Sequence, residues 1–220
     1  LEKDIVNDEQ TLPASVGKEK KESVIWEYTK SILIALALAM FIRTFVVQAF
    51  VIPSGSMEET LMVGDRILVN KFLYGITIPF TDIRLLKFSH PSRGDVVVFV
   101  YPRDPSQDFI KRVIGQPGDR IRIVNKKVYV NDKLYANPHE QHTDSRIIPA
   151  ALNPRDNMPE IKVPADSYFV MGDNRDNSFD SRFWGFVKGE SVKGPAFIKY
   201  WSWDAKHWKI RWSHLAELIK

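Results

Sequence analysis

The apolar positions change texture at Pro53. Before it, Ser31 to Ile42 (SILIALALAMFI) is an uncharged run, followed by Arg43 and a second apolar run, Thr44 to Ile52 (TFVVQAFVI). Twelve clean residues fall short of the ~20 that a membrane-spanning helix needs. Trp26 and Tyr28 on one side, or a snorkelling Arg43 on the other, supply the missing length. A cleavable signal peptide and a buried soluble helix compete for the same run. The long mixed-charge stretch ahead of it argues against the first, and Trp26 and Tyr28 stand where an interfacial aromatic belt would. The expectation is a flexible leader over 1–24, then a single-pass transmembrane anchor over 25–47. Lys18, Lys20 and Lys21 before the span, against one arginine after it, put the N-terminus in the cytoplasm.

Beyond Pro53 the pattern becomes short β-rich runs set off by Gly-Asp pairs. Gly64-Asp65, Gly94-Asp95 and Gly118-Asp119 each precede a strand-like run (RILVNKF, VVVFVY, RIRIVN). Glycine relaxes φ there and aspartate bonds local amides, so each pair reads as a turn leading into a strand. Lys127 to Leu134 has an Asn131-Asp132 turn between apolar-bearing arms and reads as a hairpin. Residues 136–160, rich in Pro, Asn, Asp and His, read as an irregular insertion, and Tyr168 to Met171 as another strand. The aromatic and basic tail ends in a short amphipathic stretch, Ser213 to Ile219. The architecture expected is an anchor followed by a mostly β domain.

Composition narrows this little. With 44% hydrophobic and 26% charged residues the chain is of the globular class, and its formal charge of +4 is mild. No concentrated basic patch points to nucleic acid, whereas an anionic membrane surface suits the charge. Cysteine is absent, which excludes disulfides, thiolate metal sites and a cysteine nucleophile. His139 and His142 in a polar loop read as solvated rather than metal-binding. Arg93-Gly94-Asp95 reads as a turn. The acidic stretch 172–182 lacks the glutamate spacing of an EF-hand.

Two local features carry possible chemistry. Ser54-Gly55-Ser56 follows the apolar segment, and a serine attacks an acyl carbon only if a base takes its proton. No histidine shows a spacing that links it to this turn. Lysine can serve if burial lowers its pKa from about 10.4 to 7–8. In Asp108 to Ile114, alternation puts Lys111 on the face of Phe109 and Val113, and Arg112 on the opposite face. Taken singly, each feature has an ordinary explanation: a serine-rich loop, and an edge-strand lysine that guards against aggregation.

The order of motifs is more specific. Ser54-Gly55-Ser56-Met57 with Thr60-Leu61 and Gly64-Asp65 comes first, then Arg93-Gly94-Asp95-Val96-Val97-Val98-Phe99. Lys111-Arg112-Val113-Ile114-Gly115 with Pro117-Gly118-Asp119 follows, and last comes Gly172-Asp173-Asn174-Arg175-Asp176-Asn177-Ser178-Phe179-Asp180-Ser181-Arg182. In this order, after an apolar span, the chain resembles the type I (leader) signal peptidases of bacteria. The resemblance covers most of residues 46–187 and departs at Glu59, where the family usually has proline.

The resemblance implies a serine endopeptidase that cleaves signal peptides from exported preproteins, with small residues preferred at −1 and −3 and no metal or organic cofactor. Ser56 would be the nucleophile and Lys111 its base. Ser54 and the Ser56 amide would form the oxyanion hole, Ser178 would orient the lysine ammonium, and Asp180 with Arg182 would be a supporting ion pair. Phe50, Ile52, Pro53, Leu61, Ile67, Phe109 and Ile110 would line the substrate pockets, with the peptide added to strand edges. It also implies an antiparallel β-sheet catalytic domain (48–124 and 165–220) with a smaller β insertion domain (125–164). The implied location is the bacterial cytoplasmic membrane, with the catalytic domain outside the cytoplasm. The implied partners are signal peptides and the lipid bilayer, with no nucleic acid. A self-cleaving Ser-Lys regulator would need a DNA-binding module for which the apolar span leaves no room. A silent signal-peptide binder would lack Ser56 or Lys111. Ser56 follows Ile52 by four residues, at most about 14 Å of chain, which would keep the nucleophile near the bilayer surface.

Overall fold

A computed structural model describes residues 24–77, 84–85 and 88–220. The leader, with its three lysines, lies outside the described residues apart from Val24. The chain divides into two compact units at Ala39 and Met40. Helix α1 (Val24–Phe45) has 22 residues, none of them buried. It rises roughly 33 Å, and by length and composition it is apolar enough to cross a membrane. The N-terminal side, with Trp26 and Tyr28, therefore supplies most of the added length. The second apolar run does not: the helix stops at Phe45 and the chain is already a strand at Val47.

The strands are β1 (Val47–Val51), β2 (Asp65–Asn70), β3 (Ile76–Thr77), β4 (Arg84–Leu85), β5 (Val96–Val100), β6 (Asp108–Gly115) and β7 (Arg120–Val124). They continue as β8 (Lys127–Val130), β9 (Lys133–Leu134), β10 (Met158–Lys162), β11 (Ser167–Met171), β12 (Val187–Lys188), β13 (Val192–Asp204), β14 (Lys209–Ile210) and β15 (Glu217–Leu218). Gly64, Gly94 and Gly118 all have φ near +90°, so the three Gly-Asp turns ahead of β2, β5 and β7 use the freedom that glycine alone offers cheaply. Asn131 and Asp132 also take positive φ between β8 and β9, as a tight hairpin turn requires.

The main sheet is antiparallel in the order β1-β2-β13-β5-β6-β11-β12. Its pivot is β13, whose first residues pair with β5 and whose later residues pair with β2. Gly194 lies at the crossing, where an added Cβ would come within 2.1 Å of the Asn70 carbonyl oxygen. Through this strand the half carrying β1 and β2 is joined to the half carrying β5 and β6. A second antiparallel sheet, β10-β7-β8-β9, is built from residues 120–162. It takes in β7 as well as the strands of 125–164.

Burial follows period two. Val96 and Val98 pack with Ile52, Met57, Leu61 and Ile67, while Val97 and Phe99 pack on the other face with Val113, Val170 and Trp184. Phe169 and Met171 turn to a third cluster with Ile114, Ile121 and Val128, which joins the two sheets. Burying apolar area at about 25 cal/mol per Å² makes these clusters the frame on which the polar groups below are fixed.

Candidate active site

Past β1 the chain is extended at Ser54 and then makes a 3₁₀ turn over Gly55–Met57. Met57 and Leu61, both fully buried, hold the turn down, and Ser56 is left at its inner edge. Glu58 (φ −51°, ψ 149°) and Glu59 (φ +79°) then form a type II β-turn closed by the Thr60 amide donating to the Met57 carbonyl at 3.0 Å. Proline cannot adopt the positive φ of Glu59. The rigidity that a proline would supply is absent, and the turn takes a different conformation from one with proline at this position.

Lys111 stands in the middle of β6 opposite Val97 and is 4% exposed. Its Nζ lies 2.6 Å from Ser56 Oγ. The Phe109 ring is 5.7 Å from Nζ and is itself stacked on Tyr101. Burial pushes the Lys111 pKa down to about 8; Asp180 and Asp173 partly oppose this, and Arg182 adds to it. A neutral amine against a serine hydroxyl is thus within reach near neutral pH, with no histidine involved.

Residues 172–182 form the other wall. An added Cβ on Gly172 would lie 2.3 Å from both Ser178 Oγ and the Ser56 carbonyl oxygen, so this position demands glycine for close approach. Asn174 donates its amide to the Ser56 carbonyl (3.2 Å) and its Nδ2 to the Gly55 carbonyl (3.1 Å), pinning the nucleophile turn. Asp180 caps the short helix α2 (Ser181–Trp184) and binds Arg182 through two hydrogen bonds of 2.8 Å. Burial pushes the Asp180 carboxyl up, but Arg182 and the other hydrogen bonds to the carboxylate, the Gly172 amide's among them, together outweigh it and the pKa is lowered. Arg182 also donates to the Arg175 and Arg155 carbonyls, so the pair fixes the wall.

A cavity of about 630 Å³ opens over Ser56 and Lys111, walled by Pro53, Ser54, Phe109, Ile110, Asn174 and Phe179 among others. The expected substrate-binding residues divide. Pro53, Phe109 and Ile110 face the cavity. Ile52, Leu61 and Ile67 are buried in the cluster beneath it, and half-buried Phe50 packs on the same cluster. Ile110 packs on that cluster and carries it to the cavity wall. Ser54 is exposed at the rim. Ser178 is buried and makes no hydrogen bond to Lys111.

Sequence reading also missed a network. Arg112 does point away from Lys111, and there it meets Asp173 through Nε (2.8 Å) and Nη2 (2.7 Å), with both groups buried. Thr60 and Asn137 donate to the same carboxylate. The Lys-Arg pair on a strand with two buried faces was the available signal, since a buried cation demands a carboxylate. Alternation alone could not say which acid would supply it.

The family described as "Signal peptidase, peptidase S26" matches residues 25–201. The signal peptidase I of Pseudomonas aeruginosa is 40% identical over 87% of this chain and 78% of its own length. Signal peptidase I of Aquifex aeolicus is 37% identical, over 77% of this chain and 81% of its own. Among solved structures, a signal peptidase I from Enterococcus faecalis V583 is 28% identical with a TM-score of 0.39, covering 49% of this chain and 97% of that one.

Proposed function

The chain belongs to the signal peptidase family, peptidase S26, whose members are serine endopeptidases, and we propose that it cleaves signal peptides from exported preproteins with a Ser56–Lys111 dyad. The observation that carries the reading is the 2.6 Å contact between Lys111 Nζ and Ser56 Oγ in a buried setting. Neutral Lys111 takes the Ser56 proton as Oγ attacks the carbonyl carbon of residue −1. The Ser56 amide and Ser54 hydroxyl face the developing oxyanion. The Lys111 ammonium then gives its proton to the leaving amine, and the acyl-enzyme forms as the peptide bond breaks. Lys111 next takes a proton from a water that attacks the acyl carbon, and returns it to Ser56 Oγ as the ester bond breaks, which restores the neutral amine and the serine hydroxyl. Ser178, buried beside Gly172, turns its oxygen to the ammonium when that forms. Asp180 and Arg182 position without reacting.

The substrate lies extended along two unpaired edges. One is β1, which pairs with β2 alone among the described residues; the other is the Asp108–Ile110 stretch of β6, which β11 leaves unpaired. Pro53, Phe109 and Ile110, over a floor set by Ile52 and Leu61, leave room for small residues at −1 and −3. The catalytic domain is residues 48–124 and 165–220 with an insertion over 125–164, and β7 goes with the insertion's sheet. Helix α1 anchors the protein in the cytoplasmic membrane with the N-terminus inside and Ser56 outside, and exposed Trp208 and Trp212 contact lipid.

The test is to incubate detergent-solubilised protein with a preprotein and sequence the new N-terminus. Cleavage is expected after the signal peptide, lost in Ser56→Ala and nearly lost when the −1 alanine becomes leucine. Ordinary turnover by purified Ser56→Ala would overturn the dyad, and equal rates for both substrates would overturn the small pocket.

A further inference from the structure

Lys199 is a second buried lysine close to the nucleophile turn, and β13 is distorted where it carries it. Val192, Gly194 and Ala196 point inward with period two, which would send Lys199 outward. Register breaks between Ala196 and Ile198, and again between Lys199 and Trp201, shift the phase on either side of it. Lys199 therefore turns in, and Ser202 regains an inward position after it. Bulges of this kind re-aim side chains.

The ammonium reaches the turn that follows Ser56. Lys199 Nζ donates to the Thr60 carbonyl at 3.0 Å and lies 2.5 Å from Glu217 Oε2 on β15. The Thr60 carbonyl comes directly after Glu59, which holds φ +79°, a conformation that side chains other than glycine avoid. Glu59 itself is exposed, and its own side-chain hydrogen bond, from Gln141, is long at 3.3 Å. The hydroxyl of Thr60 meanwhile binds Asp173 and Arg112, and Arg112 also donates to the Lys220 carbonyl. Both polar groups of Thr60 that leave the turn are thus held by buried charge.

We propose that Lys199 is a positioning residue for the nucleophile. Its ammonium pins the Thr60 carbonyl, holds the left-handed Glu59 turn, and so sets Ser56 at hydrogen-bonding distance from Lys111; Glu217 supplies the counter-charge. This rests on the reading of Ser56 as nucleophile.

The experiment compares parent, Lys199→Met, Glu217→Gln, Glu59→Gly, Lys199→Met with Glu59→Gly, and Ser56→Ala on a signal-peptide-derived peptide. Lys199→Met is expected to lower kcat about tenfold with KM within twofold and the acid limb of the pH profile unmoved. Glu217→Gln, which leaves Lys199 in place, should lower kcat about threefold in the same way. Glu59→Gly removes the backbone strain, so it should leave the parent kcat within twofold yet restore most of the loss in Lys199→Met. A purely structural Lys199 would show no such selective rescue. Parent-like kcat in both Lys199→Met and Glu217→Gln, or a loss in Lys199→Met that Glu59→Gly does not restore, would overturn the inference. Should Lys199→Met not fold, a parent-like Glu217→Gln alone overturns it. Turnover by Ser56→Ala would instead overturn the dyad reading beneath it.

Discussion

Replacing Lys111 with methionine should abolish cleavage and, at neutral pH, make the protein more stable. The ammonium is almost wholly out of water, and burial takes its pKa from 10.5 to about 8. At 1.36 kcal/mol per pH unit this is about 3 kcal/mol of destabilisation carried by the charged form. Between pH 8 and 10.5 the unfolded chain holds a proton here that the folded chain has released. Stability therefore rises with pH across that window, and the full penalty applies below it. Methionine fills the same volume without charge and forfeits one hydrogen bond to Ser56, a loss of about 1 kcal/mol. The net gain is roughly 2 kcal/mol, or roughly 4–8 °C in Tm for a domain of this size. Thermal unfolding of parent and Lys111→Met in one detergent, from pH 6 to pH 10.5, measures it. The gap should be widest at the acidic end and close toward pH 10.5, while parent activity falls about tenfold per pH unit below 8. Lys111→Arg, which cannot lose its proton, should be equally inactive and should not show the gain. A variant less stable than the parent at pH 7, or a gap that does not change with pH, would refute the buried-base argument.

Asp180→Asn removes the larger of the two carboxylate supports of the Lys111 ammonium and leaves Arg182 buried without its carboxylate. The acid limb of kcat/KM should move below 8, and stability should fall by about 3–5 kcal/mol; a limb that moves upward would contradict the electrostatics. Removing the residues before Phe45 keeps Ser56, β6 and the 172–182 wall, so short peptides should be cut at near-parent rates. Membrane-inserted preproteins should be cut much more slowly if the helix serves, as proposed, to present the site to membrane-borne substrate, and replacing Trp208 and Trp212 as well should deepen the loss. Equal slowing of peptide and preprotein would reduce the anchor to a tether.

Much of this protein was legible in order along the chain. The apolar run, the three Gly-Asp turns and the Asn131-Asp132 hairpin are local matters, decided by chain solvation and by the φ values that glycine and asparagine tolerate. The period-two pattern likewise placed Lys111 and Arg112 on opposite faces, and both faces proved to be buried. What depended on residues far apart in sequence was not legible. The end of the helix at Phe45 is set by β1 pairing with β2, and the grouping of β7 with the insertion is set by β10, more than 30 residues on. Asp173 becomes the partner of Arg112 because β11 pairs with β6, and Lys199 is turned inward by bulges where β13 brings the two halves of the sheet together. A single sequence carries the type and spacing of its charges. Only packing decides which of them are taken out of water, and which opposite charge each must then find.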